Sequence, residues 1–179
     1  MSDFRFTHLH VHSQYSLLDG KASIKELVDA AVADGMHGLA LTDHGNMYGI
    51  KEFYNYVNKV NGGLDDDKKI KAILGCEMYV AKRSMADRED RSDTGYHLIV
   101  LAKNSTGYHN LIKLVSKAMT DGFYYRPRTD KSELEKHREG LIVCSACLGG
   151  EIPRLIEAGD IEGAERAALW FKGIFGEDY

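Results

Sequence analysis

The sequence predicts an α/β protein. Three observations carry that prediction: short apolar runs at 39–42, 72–80, 98–102 and 141–144, helical-period segments between most of them, and polar residues collected where the runs end. Runs such as 98–102 and 141–144 are apolar on both faces, which implies a parallel sheet covered on each side, either a barrel or a doubly wound sheet.

Along the chain, residues 5–13 read as a strand with Leu9 and Val11 on one face and His8, His10 and His12 on the other. Ser23 to Glu26 has the form of a capping box, and Ile24, Leu27, Val28 and Ala31 then recur at helical spacing until Gly35 can close the helix. The order repeats: a strand at 39–42, a polar turn at 43–46, and a helix from about Tyr48 to Val60 with Ile50, Phe53, Tyr54 and Val57 inward. A third strand spans 72–80. Residues 82–95 carry charges without an apolar period and read as a mobile loop. Leu111, Ile112, Leu114, Val115 and Met119 mark a helix between the last two strands.

At 179 residues, 44% hydrophobic and 28% charged, the chain suits one globular domain. A net charge of -4 gives no overall footprint for nucleic acid, so such contact must come from a local basic stretch or from polypeptide outside this sequence. Three cysteines make no disulfide framework, and 1–5 lacks the apolar run of a signal peptide, which fits a reducing cytoplasm. No stretch approaches the roughly 20 apolar residues that cross a bilayer, so no membrane role is expected.

The residues with chemistry lie in three places. His10 and His12 share a strand face and can hold one or two divalent ions; the bland alternative is two ordinary polar positions, and spacing leaves His8 as an equal partner. Asp43 and His44 occupy a turn that Gly45 and Asn46 let bend, where either could ligate, Asp43 could orient a histidine, or Asp43 could cap a helix. Cys144 and Cys147 form a C-x-x-C; without a second pair, a four-cysteine zinc site within this chain is excluded, and one thiolate joining a mixed cluster is the better reading. Glu77 sits in an apolar run, where an unpaired carboxylate is costly and a cation relieves the cost. Asp19, before Gly20, is by itself most simply a turn residue. Glu77 within its run and His97 before its run do not fall on the rim of a regular barrel. The stretch 121–128 interleaves aromatic and basic residues, suited to stacking bases and pairing phosphates through Arg126 and Arg128, or to packing as an ordered loop.

Taken together, Phe6 to Ser16, Leu18-Asp19-Gly20, Ala40 to Met47, Gly75-Cys76-Glu77, Gly122 to Arg128 and Ser145 to Glu151 resemble the PHP (polymerase and histidinol phosphatase) superfamily. The nearest form is the PHP domain that opens bacterial replicative DNA polymerase alpha subunits. The resemblance implies a distorted TIM-like (β/α)7 barrel, of which 1–179 would be the N-terminal part, because the family closes its ligand set with a D-x-H motif not found before Tyr179. It implies metal ligation by His10, His12, Asp19, His44, Glu77, His97 and Cys147, with Asp43 behind them. It also implies up to three divalent ions in the complete domain, zinc first and manganese or iron as alternatives, and metal-dependent phosphoester hydrolysis such as a 3'-5' exonuclease. A metal-stapled scaffold and a free-standing phosphatase are the rival readings. The implied partners are DNA, met through the parent polypeptide, and other polymerase subunits such as a proofreading exonuclease or a clamp.

Overall fold

The first helix shows how directly local chemistry is realised. In the computed structural model, which describes residues 6–179, α1 (Ile24–Ala33) begins at Ser23, whose hydroxyl accepts from the Glu26 amide while the Glu26 carboxylate accepts from the Ser23 amide. Gly35 takes φ +67 just beyond its end, a left-handed conformation that glycine adopts without steric cost. Ile24, Val28 and Ala31 are buried against β1 (Gly38–Leu41) and α2 (Ile50–Asn61). Ile50, Phe53 and Val57 form the inward stripe of α2. Tyr54 was expected inward too, but it is about half exposed, since it sits off that stripe and its phenol favours water.

The sheet continues through β2 (Lys71–Val80), β3 (Tyr96–Ala102), β4 (Phe123–Tyr124), β5 (Arg126–Thr129) and β6 (Leu141–Cys144), with α3 (Ser105–Thr120) and α4 (Lys131–Lys136) between them and α5 (Glu151–Glu157) and α6 (Ile161–Phe175) after them. The α/β class is thus as expected, but the all-parallel sheet is not. β1 and β5 lie parallel to β2, whereas β3 runs antiparallel to both β2 and β6. The reason lies in the connection: a parallel neighbour needs a crossover, usually helical, and residues 81–95 between β2 and β3 contain no helix. The strand expected at 5–13 is also not regular. Arg5 lies outside the described residues, and the segment from His8 meets β1 by an isolated parallel bridge to Leu39, with the Ala40 and Thr42 amides donating to His8 and Val11 carbonyls.

Strand alternation then sorts the long β2–β3 pair into two faces. Cys76, Met78, Val80, Leu98 and Val100 pack with Leu111 and Leu114 of α3 and Phe171 of α6. Glu77, Tyr79, His97 and Ile99 belong to the opposite face. The site is built there.

Candidate metal centre

Four histidines surround one carboxylate. Glu77, 1% exposed, accepts at Oε2 from Nε2 of His10 and lies 3.1 Å from Nε2 of His12; its Oε1 is 2.9 Å from Nδ1 of His44 and 2.7 Å from Nδ1 of His97. Burial pushes this carboxyl towards its neutral form, but the imidazoles prevail and hold it far below the usual carboxylate range. His44 also reaches Asp19, Nε2 to Oδ2 at 2.8 Å, and with a carboxylate at each nitrogen its pKa is raised, chiefly by Glu77. The same contact lowers the pKa of Asp19. Cys147 Sγ lies 3.4 Å from Nδ1 of His97. The other six expected ligands are therefore gathered around Glu77 by direct contact or through one histidine.

The antiparallel register explains how His97 arrives. Tyr79 pairs with His97, so the beginning of β3 lies beside the end of β2, and a residue preceding its apolar run reaches the same rim as residues that follow theirs. The Cys147 turn docks on that start of β3, with the His97 amide donating to the Gly149 carbonyl. Gly149 is required there: a Cβ would fall 2.9 Å from the His97 ring.

Asp43 acts at one remove. Buried, it accepts from the Ser13 amide and hydroxyl at 2.7 and 2.8 Å and from the Ser16 hydroxyl at 2.7 Å. Because Ser16 spends its only proton on Asp43, its oxygen must accept from the His44 amide (3.1 Å) and from His12 Nδ1 (2.9 Å). Ser16 therefore takes the His12 proton at Nδ1 and turns Nε2 towards His10 Nε2 at 2.9 Å and Glu77 Oε2 at 3.1 Å, so that Nε2 is the nitrogen presented to a cation. Ser13 and Ser16 had no assigned role in the sequence reading, because nothing in a serine's type or spacing announces a buried carboxylate beneath it.

The donor set suits a divalent cation. His10, His12 and Glu77 form one group, and Glu77, His97 and Cys147 another, each with its ligand atoms within 4.8 Å of one another. Glu77 is common to both, as a carboxylate shared between two cations would be. Beside them opens a cleft of about 610 Å³ that Arg126 and Arg154 also line. Arg126 holds its guanidinium 4.7 Å over the Tyr79 ring and faces solvent.

Arg128 requires a correction. Expected as a phosphate contact, it is fully buried, donating to the Asp93 carboxylate and to the main-chain carbonyls of Met85, Asp87 and Asp93. The 82–95 stretch folds over it, so the segment read as a mobile loop is irregular but fastened. Arg128 is a structural tie, closed off from any phosphate.

Comparison with known proteins agrees with this geometry. The chain is 51% identical over 177 residues to DNA polymerase III subunit alpha of Borreliella burgdorferi and 48% identical over 180 residues to that of Treponema pallidum, covering 98% and 99% of this chain and 15% of each relative. It thus spans about a seventh of their length. A solved amidohydrolase from Chromobacterium violaceum, with bound sulfate and no metal, aligns at a TM-score of 0.41 and 16% identity over 91% of this chain and 54% of its own, too slight a likeness to bear on function. The model of the PHP domain matches residues 8–179, and the chain belongs to the PHP domain family.

Proposed function

We propose that this domain hydrolyses phosphodiesters with the help of divalent cations held by His10, His12, Asp19, His44, Glu77, His97 and Cys147, zinc first, and that it trims the 3' ends of DNA within a replicative polymerase alpha subunit. The observation that carries the reading is the convergence of those side chains on one buried carboxylate beside an arginine-lined cleft. Such cations supply Lewis acidity and a nucleophilic water at neutral pH. The chain's own part is geometric. Glu77 holds His10, His44 and His97 against one another, and the Asp43–Ser16 pair fixes His12 through Nδ1 so that its Nε2 faces the same centre. Arg126, exposed above Tyr79, offers its guanidinium to a phosphate oxygen, and the mouth of the cleft admits a chain end. The polymerase relatives support DNA as substrate and other replicative subunits as partners.

The test uses the full-length subunit. His12→Ala should abolish metal-dependent release of nucleotides from a labelled 3' end while leaving polymerisation intact; undiminished release from a contaminant-free preparation would refute the catalytic reading.

A further inference from the structure

Two adjacent leucines stand where folding has no use for them. Leu17 is 78% exposed and Leu18 fully exposed, and Leu18 holds φ +84, a left-handed conformation that glycine would take freely and leucine takes only under constraint. The constraint is visible. The turn is pinned by Ser13 and Ser16 on Asp43, by the Gly20 amide on the Ser16 carbonyl, and by the Gln14 amide on the Ala22 carbonyl. A strained backbone that presents apolar side chains to water in an over-determined turn points to contact with something absent from the chain itself.

What that contact is follows from the cleft. Leu17 and Leu18 line the same 610 Å³ space as Asp19, His97, Arg126 and Arg154. A ligand there meets an apolar wall, a ligand cluster and two exposed guanidinium groups together. A lone phosphate would leave the leucines wet, and an apolar peptide would bury the arginines without a partner. A nucleotide chain end satisfies all three, with a flat apolar base joined to an anionic linkage.

We propose that Leu17 and Leu18 form a nucleobase rest, so that the cleft takes an unpaired DNA end by its terminal base as well as by its phosphate. This deepens the phosphodiesterase reading and rests on it for the identity of the reacting group. Base contact in such a rest is sequence-tolerant, because every base has an apolar face. It also demands a frayed end, since a paired base has its faces stacked within the duplex.

The test compares binding of a fluorescent oligothymidylate with binding of an abasic oligonucleotide of equal length by the zinc-loaded 179-residue chain. The wild type should prefer the base-bearing strand by about fivefold, the effect of removing roughly 40 Å² of apolar surface from water. The L17A/L18G double variant should bind both alike, with its melting temperature kept or raised because glycine suits φ +84. Equal affinity of the wild type for the two strands, or a preference that survives L17A/L18G, overturns the proposal. Hydrolysis of bis(4-nitrophenyl) phosphate, which has no base, by the full-length subunit and its His12→Ala variant reads the phosphodiesterase proposal separately: no His12-dependent turnover together with an intact base preference would refute catalysis and leave the rest standing.

Discussion

Glu77 lies in the middle of an apolar strand with barely any surface, and only the imidazoles around it make that position tolerable. Among those imidazoles His44 and His12 are also held at their other ring nitrogen, by Asp19 and by Ser16, and the support of His12 is the most open to test. Replacing Ser16 by alanine removes the acceptor on His12 Nδ1 and lets the ring turn or change tautomer, so zinc affinity measured by calorimetry should fall by about tenfold. Unaltered affinity would mean that the Ser16 contact does not set the ring. Residue type and position made His10, His12, His44, Glu77 and Cys147 candidate ligands in the sequence, whereas the choice of His10 with His12 over His8 and the inclusion of Asp19 and His97 came only from the family resemblance. Ser13 and Ser16 were not legible, since a hydroxyl's role depends on what the fold puts beneath it. Arg128 misled for the converse reason. Beside Arg126 and two tyrosines it has the composition of a nucleic-acid contact, and only the 82–95 stretch folded across it reveals a buried tie.

Among the elements, α1, α2 and the β6 strand follow from period and caps, with bounds within a residue or two of expectation, while α3 begins six residues before Leu111, the first residue that marked it. The direction of β3 did not follow, because apolar runs carry no arrow, and the helix-free link 81–95 was the sole clue to a hairpin-like return. That link is tied down by β5 through Arg128. Arg128→Ala strands the buried Asp93 carboxylate and frees several carbonyls, and should cost about 3 kcal/mol in urea denaturation. Limited proteolysis should then cut first within 82–95. A variant as stable and as resistant as the parent would show that the link is held by other contacts.

At the scale of the molecule, the candidate ligands span His10 to Cys147, so the proposed centre comes together only once most of the chain has folded. Ion binding is therefore linked to global stability. Zinc at a hundred times its dissociation constant should stabilise the chain by about 2.7 kcal/mol, seen as a rise in melting temperature that a chelator reverses. A melting curve indifferent to both would mean that no ion is bound by the folded form. The sheet bears on another matter. β2 pairs with β3 over Gly75–Val80 on one side and with β1, the His44 bridge and β5 in succession on the other, while β4 and β6 at the ends of the strand path are two and four residues long. Its sequence, KAILGCEMYV, is a low-charge, proline-free window of the sort that templates fibrils. Native pairing closes the Gly75–Val80 half of that window on both sides, so self-templating through it requires the sheet to open first.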